Sequence, residues 1–151
     1  MKFLIRGLLI TAALAFLSSC GAGGAKFSGL EKPKDNMAQV YVYRSTSLDQ
    51  FDKYPDIFID NKKIGELKRG GYLKSSVSSG THIIGVYGGA FRWPHKNRQY
   101  AVKLKAGNTY FYQVSLSSTN AGNYIIRNFS FTQTKDKTKA LSDLADLNES
   151  K

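Results

Sequence analysis

Apolar and polar residues alternate in short runs from Met37 onward, and residues typical of turns separate the runs. The clearest alternation is over 98–105, where Tyr100, Val102 and Leu104 point to one face of a strand whose other face is polar. β-strands are predicted over 38–46, 56–60, 63–68, 72–77, 81–87, 98–105, 109–117 and 124–132. Seven or eight strands at this spacing predict a mainly all-β, antiparallel β-sandwich-like domain.

Two of these predicted strands can be placed more closely. The run 38–46 has β-branched and aromatic residues on both faces, which is typical of a central strand covered on both sides. The pair Asn61-Lys62 is prone to turn and joins 56–60 to 63–68, so these two strands are predicted to form a hairpin.

One amphipathic helix is predicted near the C-terminus, within 137–148. Its apolar positions fall at helical spacing and are Ala140, Leu141, Leu144, Ala145 and Leu147. A helix of about three turns is marginal alone in water and must pack on something. We expect it to pack on its own sheet, and a groove on a partner protein is the alternative.

The N-terminus has the layout of an export signal. Lys2 and Arg6 supply a positively charged n-region. The apolar run 7–17 that follows is too short to cross a bilayer as a permanent helix. We therefore expect residues 1–19 to be a signal peptide and to take no part in the fold.

A motif for lipid attachment follows the apolar run. It consists of Leu17, Ser18, Ser19 and Cys20, and it resembles the lipobox of bacterial lipoproteins. The resemblance implies that the Cys20 thiol receives diacylglycerol, that the chain is cut before Cys20, and that the new amino group is usually acylated too. Several acyl chains hold a protein on a bilayer without spanning it. The alternative is an ordinary signal peptide with a free cysteine, although a lone thiol would be unusual in an oxidising envelope.

A glycine-rich segment separates the cysteine from the predicted strands. Gly21–Ala25 lacks side chains that could build a core, so residues 20–36 are predicted to be a flexible tether after the lipidated cysteine. The domain itself is predicted over 37–151. No Asp follows Cys20, and by the sorting rule of enteric-type lipoproteins this favours the outer membrane, with the domain facing the periplasm.

The chain is strongly basic, with a formal charge of +11 from 22 basic and 11 acidic side chains. Removal of Lys2 and Arg6 with the signal leaves +9. Such a surface attracts anionic partners, including lipid phosphates, lipopolysaccharide and other anionic envelope polymers. Nucleic acid is not expected as a partner because the signal directs the protein out of the cytoplasm. A solvated basic surface with no specific partner is the alternative.

Several short motifs together resemble one protein family. They are AQVYVYR (38–44), IFIDNKKIGEL (57–67), GY (71–72), SGTH (79–82) and LKAGNTYF (104–111). The set is similar to small bacterial envelope lipoproteins of the domain of unknown function 2846 family, over most of Met37 to about Leu147. Asn61 and Ser79 stand where the family has glycine and proline, both in turns. The resemblance implies a β-sandwich-like domain on a lipid anchor and supplies no activity.

Candidate catalytic and metal-binding groups are few. His82 opens a predicted strand, where its ring is expected to bond turn backbone, and His95 has no nearby Cys, Asp or Glu to complete a zinc site. The carboxylates of Asp49, Asp52, Asp56 and Asp60 cluster near one hairpin without a calcium-loop pattern. We therefore expect no enzyme activity, no catalytic residue, no metal and no cofactor.

One loop combines basic and aromatic residues. Its candidate ligand-binding side chains are Arg92, Trp93, His95, Lys96 and Arg98. Cations can hold phosphates or uronic acids, and an indole can stack on a sugar or lie at a membrane interface. Alternatively, the aromatic residues plug one end of the sandwich and the basic ones are merely solvated.

The sequence thus predicts a membrane-anchored lipoprotein that acts as a non-enzymatic binding or structural module of the cell envelope. One alternative is a binder of anionic envelope glycans or lipopolysaccharide through the basic and aromatic loop. Another is an accessory subunit of a secretion or envelope-assembly complex that uses its sheet edge or its C-terminal helix.

Overall fold

The computed structural model describes residues 21–46, 54–88 and 97–150. Within them the chain forms nine β-strands and one C-terminal helix, so the predicted fold class is confirmed. The strands are β1 (Met37–Arg44), β2 (Asp56–Ile59), β3 (Lys62–Glu66), β4 (Gly71–Ser78), β5 (Gly80–Tyr87), β6 (Arg98–Leu104), β7 (Thr109–Ala121), β8 (Tyr124–Gln133) and β9 (Asn148–Glu149), and the helix is α1 (Lys137–Leu144).

The strands form two sheets. The first sheet has the order β8-β7-β1-β4-β9, and the second has the order β3-β2-β5-β6. Most neighbouring strands are antiparallel, as predicted, but β1 pairs with β7, and β4 with β9, in parallel. The parallel β1–β7 pair arises because the chain leaves β6 where β1 begins, with Gly107 N–H donating to the Met37 carbonyl at 2.8 Å. From there β7 runs beside β1 in the same direction.

The main core lies between the two sheets. It is built by alternate residues of the inner faces, among them Val40, Val42, Ile57, Leu73, Ile84, Val86 and Val114. Every side chain from Ala38 to Arg44 is buried, which confirms the prediction that this strand is covered on both sides. One side of β1 faces the main core, and its other side is covered by residues on the outer face of the first sheet.

The outer face of the first sheet carries an aromatic cluster, which consists of Tyr41, Tyr43, Tyr72 and Phe111. Ala140 and Leu144 of α1 pack on this cluster together with Leu147. The helix therefore packs on its own sheet, as expected. It ends at Leu144, earlier than the predicted 148, because the chain then turns and Asn148 pairs with Gly71 at the edge of β4.

The β2–β3 hairpin turns at Asp60 and Asn61, one residue earlier than predicted. Their φ angles are 49° and 66°, the left-handed values that a two-residue turn of this kind requires. Asn and Asp tolerate these values better than other side chains. The hairpin consequently forms although Asn61 stands where the related family has glycine.

Candidate functional site

The predicted site residues fall mostly outside the part of the chain that the structure describes. These are the lipobox residues Leu17, Ser18, Ser19 and Cys20, and the loop residues Arg92, Trp93, His95 and Lys96. Arg98 is described: it is the exposed first residue of β6, and its guanidinium carbon lies 6.0 Å from the ring centre of Phe129. Lipid attachment and ligand binding by this loop stay predictions.

The residues directly after Cys20 lie against the folded domain. We call Gly21–Phe27 the docked segment. The Gly24 amide donates to the Glu149 carbonyl at 3.0 Å, the Glu149 amide donates to the Ala25 carbonyl at 2.8 Å, and the Phe27 amide donates to the Leu147 carbonyl at 2.9 Å. Lys26 pairs with Asn148 in an antiparallel bridge. The docked segment thus continues the first sheet beyond β9.

Side chains hold the docked segment at both ends. The Phe27 ring packs edge-on against Tyr72, with ring centres 5.6 Å apart, and against Tyr41 at 6.1 Å. At the other end, the Ala22 amide donates to the Arg69 carbonyl at 3.2 Å, and the Ala22 carbonyl accepts from the Asn148 side chain at 3.1 Å. Both ends of the segment are therefore tied to the domain.

The prediction that Gly21–Ala25 is a flexible tether is wrong, because this segment is hydrogen-bonded to the folded domain. Strand pairing uses backbone groups, so a segment without core side chains can still be held in place. A Cβ atom on Gly24 would lie 2.3 Å from the Glu149 carbonyl oxygen, whereas one on Gly23 would meet nothing within 4 Å. At Gly24 the missing side chain permits a close approach of two backbones.

The docked segment begins at one end of the sandwich, which we call the entry end. It is marked by Gly21, Ser45, Arg69, Gly70 and Asn148. The Gly70 amide donates to the Ser45 carbonyl at 3.3 Å, and the Gly70 carbonyl accepts from the Asn148 amide at 3.1 Å. Arg44, the last residue of β1, pairs with Gly71, the first residue of β4, so β1 also ends at the entry end. Gly21, the first described residue, therefore lies at this end.

Positive charge gathers at the entry end. Arg44 is buried, and this burial, with a further contribution from the positive charge of Arg69, lowers the pKa of its guanidinium to about 10. Arg69 lines a shallow depression that also includes Gly21, Thr46 and Asp146. Two guanidinium groups and one carboxylate therefore lie at this end.

His82 lies at the opposite end of the sandwich and braces a turn, as its position predicted. Its Nε2 atom is 2.9 Å from the Ser78 carbonyl and its Nδ1 atom is 2.6 Å from an Asp60 carboxylate oxygen. The other Asp60 oxygen accepts from the Ile83 amide at 2.9 Å. The hydrogen bonds from His82 and Ile83 lower the pKa of the Asp60 carboxyl. Both ring nitrogens are engaged in structural contacts.

Across 21–46, 54–88 and 97–150, no group of three or more His, Cys, Asp or Glu side chains is arranged to hold a metal ion. Over the same residues, no helix is both long and apolar enough to cross a membrane.

The sequence did not predict how far the β7–β8 hairpin extends. β7 runs to Ala121 rather than 117, and β8 begins at Tyr124. Residues 117–120 are polar on both faces, so they lack the alternation that identifies a half-buried strand. Only the turn residues at 120–123 indicated where the hairpin turns, and the structure has the turn there, between β7 and β8.

Comparison with known families gives one match. The model of a family described as protein of unknown function (DUF2846) matches residues 34–126, which is more than half of the chain. The match covers β1 to the start of β8 and leaves out the docked segment, α1 and β9. A search of curated proteins finds no match.

Proposed function

The chain belongs to the DUF2846 family of proteins of unknown function, and we propose that it acts as a lipoprotein and non-enzymatic binding or structural module at a bacterial membrane surface. Acylated Cys20 is the anchor in this proposal. The bilayer is the outer membrane, and the domain faces the periplasm.

The position of the docked segment is the main support for a role at the membrane surface itself. Gly21 follows Cys20 directly and lines the same depression as Arg69, while Ala22 is hydrogen-bonded to the Arg69 carbonyl. An acyl group on residue 20 would therefore leave almost no free chain between lipid and domain. The entry end would lie on the bilayer instead of being held away from it.

The charge of the protein supports the same role. The formal balance of +9 without the signal favours approach to anionic phospholipids and lipopolysaccharide. Arg69 places one positive charge in the depression that Gly21 lines, which also contains the Asp146 carboxylate. Attraction of this kind adds to acyl insertion without requiring a specific ligand.

A non-enzymatic role is supported by the use of His82 in the fold. A general base needs a ring nitrogen that can reach a substrate. Both nitrogens of His82 are within hydrogen-bonding distance of Asp60 and Ser78 instead. In the proposed role Cys20 is a thioether and offers no nucleophile.

Replacement of the anchor tests the proposal. The Cys20→Ser variant should lose labelling by radioactive palmitate and should leave the membrane fraction of expressing cells. The matched control Ser18→Ala keeps a small residue in the lipobox and should be labelled and anchored like the original protein. A Cys20→Ser protein that still incorporates palmitate and sediments with membranes would contradict the proposal.

A further inference from the structure

The β7–β8 hairpin projects beyond the rest of the first sheet. β7 pairs with β1 only as far as Gln113, opposite Tyr43, whereas its pairing with β8 continues to Ala121, opposite Tyr124. The stretch 115–121 lies past the last residue of β1, and seven residues of strand extend about 23 Å. We call residues 117–128 the projecting hairpin. Every side chain that the structure describes in it is exposed.

The projecting hairpin exposes apolar side chains on one face. Tyr124 is 77% exposed and Ile126 is 50% exposed. The two residues are two positions apart on β8, so they share a face of the hairpin. Thr119 and Ala121 lie opposite them on β7 and add no charge. A two-stranded hairpin is marginally stable alone in water. The projecting hairpin also contains no Asp or Glu, whose negative charge would favour exposure to solvent.

The projecting hairpin points to the side on which the anchor leaves the domain. β7 is parallel to β1, and β1 runs toward the entry end, where Arg44 pairs with Gly71. The docked segment starts at that same end, since Ala22 bonds to the Arg69 carbonyl. The tip of the hairpin and Gly21 are therefore on one side of the molecule.

The two features are at opposite edges of the first sheet. Four strand spacings separate β7 from the docked segment, by way of β1, β4 and β9. At about 4.8 Å for each spacing, the lateral separation is about 19 Å. An acyl anchor alone leaves a domain free to swivel, whereas a second contact at this distance fixes its orientation with the strands inclined to the membrane.

We propose that the projecting hairpin is a second membrane contact, with Tyr124 and Ile126 seated in the phospholipid headgroup layer of the bilayer that holds acylated Cys20. This inference rests on the proposed lipoprotein function. Tyrosine favours the membrane interface, because its ring is apolar and its hydroxyl remains in the polar layer. The position of the hairpin on the anchor's side, and its lack of acidic residues, favour lipid as the occupant.

Fluorescence quenching in vesicles tests the contact. The processed lipoprotein carrying Ile126→Cys is labelled with a maleimide dye and reconstituted into vesicles of phosphatidylethanolamine and phosphatidylglycerol. Cys20 does not react with maleimide when it is a thioether, so the dye reports on residue 126 alone. Phospholipid with a nitroxide on its headgroup should quench this dye. The matched control is Ala106→Cys, in the exposed turn at the opposite end of the sandwich, and it should show no quenching.

A second pair of variants tests the two side chains. A dye on Asn123→Cys should be quenched in the otherwise unchanged protein, and the quenching should be lost when Tyr124→Ser and Ile126→Ser are added. This variant keeps the anchor, so a loss of quenching identifies the hairpin side chains as the contact.

The outcomes separate this inference from the function on which it rests. Acylated protein whose dye at residue 126 is not quenched overturns the hairpin contact and leaves the lipoprotein proposal standing. A Cys20 that takes up maleimide in the protein without added cysteines overturns both. A dye at 126 that is shielded in detergent without lipid, in a particle with the mass of a dimer, overturns the lipid assignment in favour of a second copy.

Discussion

Gly24 and Glu149 lie backbone to backbone, with the Gly24 amide donating a 3.0 Å hydrogen bond to the Glu149 carbonyl. A methyl group on Gly24 would overlap that carbonyl oxygen. We expect Gly24→Ala to displace the docked segment and to lower the free energy of unfolding by about 1–3 kcal/mol. Thermal unfolding and hydrogen exchange of the Phe27 amide would measure the loss.

Gly23→Ala is the matched control for this prediction, because a Cβ at Gly23 meets nothing within 4 Å. It should leave unfolding and exchange unchanged. Equal behaviour of the two alanine variants would show that the segment after Cys20 is a free tether.

Packing of α1 on its own sheet predicts unequal effects for two leucines of the helix. Leu144 is fully buried against the aromatic cluster, whereas Leu141 is half-buried. Leu144→Ala should reduce the free energy of unfolding by about 2–5 kcal/mol, as expected for a buried leucine. Leu141→Ala should cost clearly less in the same denaturation experiment. Equal losses would mean that α1 does not use Leu144 to dock.

Tyr43 links the sheet to α1 and predicts an alkaline unfolding limb. Its hydroxyl donates to an Asp143 carboxylate oxygen at 2.9 Å and lies 2.8 Å from the Thr134 hydroxyl. Burial, together with Asp143, raises its pKa from 10.0 to about 12. Burial likewise raises the pKa of Tyr112 to about 12. When the pKa of a tyrosine is higher in the folded than in the unfolded state, its contribution to stability is complete below the unfolded-state pKa. The contribution is lost as the pH rises through the folded-state pKa.

Stability should consequently fall between about pH 10 and pH 12, as followed by circular dichroism. Tyr43→Phe should cost about 1–2 kcal/mol at neutral pH, because the hydrogen bond to Asp143 is lost, and should weaken the alkaline limb. Tyr124→Phe, on an exposed ring, should change neither. An alkaline limb that is unchanged in Tyr43→Phe would contradict the role of this hydroxyl.

The Asp60–His82 contact predicts an acid limb. The pKa of Asp60 is lowered in the folded state by the hydrogen bonds from His82 and Ile83. Its contribution to stability is therefore present above the ordinary carboxyl pKa and is lost as pH falls through the lowered folded value. Asp60→Asn keeps a side chain that tolerates positive φ, and it should flatten the fall in stability on acidification.

Asp146→Asn is the control for the acid limb, since the Asp146 side chain is 89% exposed. Denaturant midpoints measured from neutral pH downward should match those of the unchanged protein. A full acid limb in the Asp60→Asn variant would assign the acid sensitivity to other carboxylates.

The basic and aromatic loop allows a direct test of glycan binding. Combined replacement of Arg92, Trp93 and Lys96 by Ala should weaken sedimentation with lipopolysaccharide or peptidoglycan if these side chains hold anionic sugars. Replacement of Lys62 and Lys105, two exposed lysines outside this loop, is the charge-matched control for Arg92 and Lys96. Unchanged sedimentation of the loop variant would remove this alternative.

The strands were predictable where one face of the chain is buried and the other is solvated. The run around Tyr100 and Val102 shows this alternation, and so does the hairpin that turns at Asn61. The parallel pairing of β1 with β7 was not predictable, because it depends on the route that the chain takes between the two sheets. The local alternation of apolar and polar residues does not depend on that route.

Residue type and spacing can propose some site residues, whereas the docking of the segment after Cys20 has a different physical basis. Cys20 and the loop around Trp93 can be proposed from residue type and spacing. The docking of Gly24 on Glu149 could not be, because backbone hydrogen bonds leave no pattern of side chains. The polar outer part of β7 was missed for the complementary reason, since it has no core to face.

The bond between Ala22 and Asn148 joins residues 126 positions apart, and this separation sets an order on folding. During synthesis the stretch that begins at Gly21 emerges long before β9, its pairing partner, and it must stay unpaired over that interval. It can dock only once residues 147–149 are available. In the proposed function, this delay would keep Cys20 open to acylating and cutting enzymes until the rest of the domain has been made.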